Sequence, residues 1–351
     1  MNKRGPSTIM PSEKLQSHLV TAQSVEQALA SVENRLDKLN LPVLEQKLGS
    51  SLAALMRATE AEPEARWALR FSNEKAFLLS LAEDAAKSEF GRFLLCARGL
   101  NWRTTDLLFD PAYQATLRRQ ERDGSLCFFD RLAFFACPLF LATRERFGIF
   151  QRHTQPLVAE GASLASLPCG RMRDLLSLDY SRIVRGIRLV GLDKDPEALQ
   201  GAQIFAAEVQ AQKPLHGTIE FRVSDGLRPG LTEAGIRREF DLVTSNGLNI
   251  YLNDDQCVTF YRHVQEALKP GGTFITSHIV PTDEYRWDQI NRDHWRLQAV
   301  ILTVLIGALW EPRVKPRGLV QEQLETAGFR EIRVFPDAQG IFPTFVAKKP
   351  H

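Results

Sequence analysis

The run Ile187-Arg188-Leu189-Val190-Gly191-Leu192-Asp193-Lys194-Asp195-Pro196-Glu197-Ala198-Leu199 carries the plainest structural signal in this chain. A largely apolar run of strand length ends on a carboxylate, Asp193, and Pro196 opens a helix just beyond it. This order predicts a buried parallel strand feeding a helix. Open α/β sheets bind ligands outside the C-terminal ends of such strands. An acid delivered there can accept hydrogen bonds from both adjacent hydroxyls of a ribose, so the stretch predicts a nucleoside site.

The surrounding composition sets bounds. At 351 residues the chain has room for two domains, or for one with a large extension. Hydrophobic residues at 44% and charged residues at 25% describe an ordinary globular protein. A formal net charge of +2 with no long Lys/Arg block gives no electrostatic case for nucleic acid. The five cysteines form no CxxC pair and are odd in number, which predicts reduced thiols in a cytoplasm and no zinc site. The basic N-terminus has no apolar stretch behind it, so it does not read as a secretory signal. The most apolar windows, 132–142 and 297–310, are shorter than the roughly 20 residues of a membrane span and read as core or pocket-lining helices.

The pattern changes near residue 155. Before it the chain reads as helical. Ala22, Val25, Leu29, Val32, Leu36 and Leu39 alternate at three- and four-residue steps, a narrow seam that stops too soon for a long coiled coil. It suits an intramolecular helix hairpin or a homodimer contact. Pro42, an apolar-periodic segment at 44–56 and a polar break at 60–64 follow. Further helices fit 64–98, 111–121 and 125–148. The division expected is a helical N-terminal domain over 1–150 and an α/β domain over 151–351.

From 155 onward strands and helices alternate, which predicts a parallel sheet. Strands fit 163–168, 187–193, 218–224, 240–246, 273–279, 330–335 and 342–348. Helices fit 171–179, 196–211, 229–237, 254–269, 288–310 and 317–327. Lys269-Pro270-Gly271-Gly272 reads as the turn between a helix and the fifth strand.

Over about the last 200 residues this succession resembles the class I S-adenosylmethionine-dependent methyltransferases. The resemblance implies an α/β fold, a Rossmann-like seven-stranded methyltransferase sheet, here with an all-α N-terminal domain. Many small-molecule members carry such a helical lid or dimerisation domain. It also implies S-adenosyl-L-methionine as cofactor. The family's glycine-rich loop corresponds to Leu164-Ala165-Ser166-Leu167-Pro168-Cys169-Gly170-Arg171-Met172. Cys169-Gly170 matches a frequent family pair, whereas Ser166 stands where an acid often sits, and Pro168 and Met172 replace glycines. Gly170 can still bring backbone close to a ligand, but Pro168 has no N–H to donate.

By the same resemblance Asp193, with Lys194 beside it, would hold the ribose, while Asp195 caps the helix that begins at Pro196. Asp225-Gly226 would meet the adenine, although Asp-Gly is also a common turn. Asn246 and Gly247, at the end of the fourth strand, would line the transfer site, with Asn249 and Tyr251 close to the substrate.

Methyl transfer from a sulfonium needs alignment and exclusion of water, and a base only when the acceptor holds its proton tightly. Plant-type O-methyltransferases place a His just after the fourth strand; residues 248–255 contain none. Tyr251, His278 and His153 are the candidate bases, although a lone His is more often a hydrogen-bonded structural residue than a base. Arg144 and Arg146, near the end of an apolar helix, could anchor an anionic group. Trp287, Trp295 and Trp310, with Phe128, Phe129, Phe134, Phe135 and Phe140, could roof an apolar pocket or form core between domains. The expectation is methyl transfer to a small, partly apolar acceptor, on a carboxylate or hydroxyl oxygen. A protein acceptor and a non-catalytic binding module are the competing readings.

Overall fold

The computed structural model describes residues 20–37, 74–213, 215–228, 237–307 and 313–351. Seven strands form one sheet: β1 (Ser163–Ser166), β2 (Ile187–Asp193), β3 (Gly217–Val223), β4 (Phe240–Ser245), β5 (Leu268–Ser277), β6 (Arg330–Phe335) and β7 (Thr344–Lys348). Their order is β3-β2-β1-β4-β5-β7-β6. The first five are parallel, and β7 runs antiparallel between β5 and β6. The chain moves outward from β1 to β3, then returns to β4 on the other side of β1. That reversal opens a crevice above the ends of β1 and β4, where α/β sheets bind ligands.

Side-chain alternation explains the two covered faces. Leu164, Leu189 and Leu242 point into one apolar layer, and their neighbours Ala165, Val190 and Val243 into the other. The first layer meets α9 (Pro196–Gln212) through Leu199, Ala202 and Ala206. The second meets α10 (Asp254–Ala267) through Phe260 and Val264, and α12 (Arg317–Thr326) through Val320 and Leu324. Gly191 is where β2 must stay bare: a Cβ there would lie 2.8 Å from the Phe221 ring and 3.2 Å from Cys169 Sγ.

The remaining helices form a layer of their own: α1 (Ala22–Asp37), α2 (Glu74–Ala85), α3 (Glu89–Ala97), α4 (Trp102–Phe109), α5 (Pro111–Asp123), α6 (Phe128–Phe135) and α7 (Pro138–Thr154). Phe90 lies at its centre, edge-on to Phe134 at 5.0 Å and Phe140 at 5.6 Å. Val32 and Leu36 of the α1 seam are spent in this core within the chain. So are Leu297 and Val300 of α11 (Arg292–Val300) and Ile301 and Leu305 of the π-helical turn after it. The insertion after β5 thus folds back into the helical layer, where Arg35 donates to the carbonyl of Val304. Helix α7 joins the two layers, with Phe140 in the helical core and Phe150 in the core of the sheet.

Several expected elements differ. The run 64–98 splits at Ala86–Ser88, because Ser88 Oγ accepts the Gly91 N–H and caps a new helix. The run 125–148 splits before Pro138, which takes the first-turn position where a missing N–H costs nothing. Helix α4 was not foreseen; Asn101 and Thr104 form its capping box. The expected helix 171–179 contracts to α8 (Arg173–Leu176), and 288–310 breaks into the end of a 3-10 turn (Trp287–Gln289), α11 and its π turn within the described residues. Lys269-Pro-Gly-Gly lies inside β5, opposite a register shift in β4. Leu39, Pro42, the segment 44–56, the break at 60–64, residues 229–236 of the expected helix 229–237, and Trp310 lie outside the described residues. Among the described residues no helix is long and apolar enough to cross a membrane.

Candidate cofactor and acceptor site

A cavity of about 230 Å³ lies over the crevice between β1 and β4. Its floor is made by Ser166, Pro168, Cys169 and Gly170 after β1, Asp193 at the end of β2, and Asn246, Gly247, Ile250 and Tyr251 after β4. The helical layer closes it through Trp102, Phe109, Leu139, Arg146 and Phe147.

Asp193 is buried and organises the floor. Its Oδ2 accepts the Gly170 N–H at 3.0 Å and its Oδ1 accepts the Asp195 N–H at 3.0 Å. Burial raises its pKa, and these backbone donors pull it back down. Asp195 caps α9 as expected from the sequence, accepting the Glu197 N–H at 2.9 Å. Gly170 has φ 49°, and Trp102 Cβ would lie 3.2 Å from a Cβ there. Met172, at a family glycine position, also takes a left-handed conformation, φ 58°.

An acid that the sequence reading did not single out lies beneath Ser166. Asp174, on α8, accepts hydrogen bonds from Ser166 Oγ at 2.9 Å and Thr244 Oγ1 at 2.6 Å. Burial raises its pKa against the pull of these two hydroxyls. Asp174 thus brings a carboxylate beneath the end of β1, and it too lines the cavity. Asp106, on α4, ties the roof to the floor. It pairs bidentately with Arg173, from Nε at 2.6 Å and Nη2 at 3.1 Å, and accepts from Arg171 Nη1 at 2.8 Å.

Other residues singled out in the sequence stand apart from the cavity. Lys194 is exposed beside it. Asp225 caps its own turn by accepting the Leu227 N–H at 3.0 Å, and Gly226 packs against the Phe260 ring. Asn249 is buried and donates to Tyr261 Oη at 2.9 Å. His278 is buried and engaged through Nδ1 with the Ile279 carbonyl at 2.9 Å; burial pushes its pKa down to about 4. His153 packs on Phe335, 3.8 Å between ring centroids. Arg144 turns back to the Phe134 carbonyl and ring. Of the aromatics expected to roof a pocket, Phe129, Phe134 and Phe140 belong to the helical core, with Phe128 and Phe135 packed against it. Trp287 and Trp295 cluster edge-on at 5.9 Å. Tyr251 does line the cavity; desolvation raises its pKa, and Arg146 opposes that shift.

The residues present fit S-adenosylmethionine. A buried carboxylate stands at the end of β2, backbone approaches closely at Gly170, and the side-chain oxygen of Asn246 is buried without a hydrogen-bond partner.

A family model described as a methyltransferase domain matches residues 166–313. Among solved structures, a possible exported protein of Bordetella parapertussis is 31% identical over 97% of this chain and 100% of its own, with a TM-score of 0.72. Human N-acetylserotonin methyltransferase in complex with S-adenosylmethionine is 17% identical, over 82% of this chain and 70% of its own, at TM-score 0.41. Magnesium protoporphyrin IX methyltransferase of Synechocystis PCC 6803 is 15% identical, over 70% and 98%, at 0.43. No curated protein matches the chain. The sheet order is that of the class I S-adenosylmethionine-dependent methyltransferase fold, here with a helical N-terminal region, and the matched methyltransferase domain lies within it. Residues 166–313 mark it as a methyltransferase.

Proposed function

We propose that this enzyme methylates a carboxylate oxygen of a small, partly apolar organic acid. The observation that carries the reading is the make-up of the cavity wall. Leu139, Phe147, Ile250, Ile279 and Phe342 give it an apolar side, and among the described residues no histidine lines it. Its three carboxylates are already engaged: Asp106 with two arginines, Asp174 with two hydroxyls, Asp193 with two backbone N–H groups. A hydroxyl acceptor needs its proton removed, whereas a carboxylate gives a neutral ester with no proton to remove.

Bound S-adenosylmethionine supplies a methyl group on a sulfonium, whose bonding pair stays on sulfur when the methyl leaves. Asp193 keeps lone pairs free to hold the ribose, and Gly170 lets backbone approach. The side chain of Asn246 faces the transfer region, and the apolar wall excludes water. The five cysteines, none of them paired, suit a reducing cytoplasm.

The test is transfer of radiolabelled methyl from S-adenosylmethionine to a panel of aliphatic and aromatic acids, with matched alcohols and phenols. Base-labile methyl esters are expected from the acids. Label that enters phenols and spares the acids would refute the carboxylate assignment.

A further inference from the structure

One cation in the cavity wall is left, among the described residues, with two of its nitrogens unbonded. Arg146, on α7, is 4% exposed, and its Nε and Nη1 are buried without a hydrogen bond. Among the described residues it forms no ion pair. One face of the guanidinium lies on the Phe342 ring, 4.5 Å from its centroid. The nearby carboxylate of Asp337 is turned to the backbone, accepting the N–H groups of Gln339, Ile341 and Phe342. Burial lowers the pKa of Arg146 only to about 10, so it stays charged at neutral pH. A buried cation without a counter-charge is costly, and the cost is relieved when an anion enters.

Its position points to the acceptor. A Cβ on Gly247 would lie 3.9 Å from Nη1 and 4.0 Å from Nη2, which puts the guanidinium at the C-terminal edge of β4. The Phe342 ring and Tyr251 stand beside it, and both line the same cavity. The arginines that follow β1, Arg171 in the loop and Arg173 at the start of α8, are already paired with Asp106.

We infer that Arg146 receives the carboxylate of the methyl acceptor, so that the substrates are apolar acids recognised by a buried guanidinium on α7. This rests on the methyltransferase reading. A carboxylate accepts charge-assisted hydrogen bonds from the orphaned nitrogens, and its apolar body lies along Leu139, Phe147 and Ile279. Esterification removes the charge, so the product loses the pairing that held the substrate.

Calorimetry tests this without turnover. Apolar carboxylic acids of graded length and their primary amides are titrated into wild type, Arg146→Met and Arg146→Lys, each with and without S-adenosylhomocysteine. The wild type is expected to bind its best acid at least tenfold more tightly than the matching amide. That preference should vanish in Arg146→Met and survive in part in Arg146→Lys, with S-adenosylhomocysteine binding within threefold of wild type in both. Equal binding of acid and amide overturns the assignment. So does an Arg146→Met variant that weakens S-adenosylhomocysteine and spares 5′-methylthioadenosine, because Arg146 would then hold the carboxylate of the cofactor. A wild type that binds no S-adenosylhomocysteine removes the methyltransferase reading, while the acid–amide comparison without cofactor still reports on Arg146. Arg146→Met removes an uncompensated charge, so its melting temperature should equal or exceed that of wild type, and the melt checks its folding.

Discussion

Asp193 Oδ2 accepts the backbone N–H of Gly170 at 3.0 Å, so the end of β2 fixes the loop that leaves β1. One carboxylate thus shapes the floor of the cavity and offers its remaining lone pairs to a ligand. Asp193→Ala should weaken S-adenosylhomocysteine at least tenfold, about 1.4 kcal/mol, by calorimetry. Because burial raises its pKa, Asp193 should lose acceptor capacity on acidification earlier than an exposed aspartate. Affinity should therefore fall toward acid pH in the wild type, and that limb should be missing in Asp193→Asn. The same acid limb in the variant would show that another group titrates.

The bidentate pair between Asp106 and Arg173 holds α4 on the loop after β1. Among carboxylates, Asp106→Ala leaves Arg173 the 3.5 Å contact to Asp110, and Arg171 that to Glu208 at the same distance. Removing one partner of a buried ion pair costs about 3–5 kcal/mol. A loss of that size in urea unfolding is expected, with faster amide exchange over residues 102–109. Unchanged exchange there would mean that apolar packing of Trp102 holds the roof unaided.

Asp174 brings a carboxylate from a helix to the end of β1, where the strand itself carries Ser166. Asp174→Ser should weaken S-adenosylhomocysteine about tenfold, about 1.4 kcal/mol. Moving the carboxylate to the strand, as Ser166→Asp combined with Asp174→Ser, should restore much of that loss. Failure of the exchange to restore any affinity, with melting temperature intact, would count against equivalence of the two positions.

What could be read from the sequence followed local rules. The apolar run to Asp193 and the cap at Asp195 are short-range patterns, and both stand where the sequence put them. The sheet order added the crevice over β1 and β4. Asp174 could not be singled out beforehand, because its importance comes from Ser166 and Thr244 converging on it from two strands. Arg144 and Arg146 show the same limit. Two helical positions differ by about 200° around the axis, so only tertiary packing could show which faces the cavity. The break before Pro138 was hidden by an apolar run that continues through it.

Asp130 gives the helical layer a pH-dependent stability. It is 2% exposed on α6, and its Oδ1 has no hydrogen-bond partner. Burial, reinforced by the charge of Asp84, pushes its pKa up from 3.8 to about 6. Between those values the folded protein holds a proton that the unfolded chain has lost. Stability is therefore greatest below the unfolded pKa and falls as pH rises through about 6. The upward shift amounts to about 3 kcal/mol. Thermal melts of wild type and Asp130→Asn should nearly coincide at pH 4 and separate by pH 8, with the variant more stable. Parallel melting curves across that range would show that Asp130 is ionised and compensated in the folded protein.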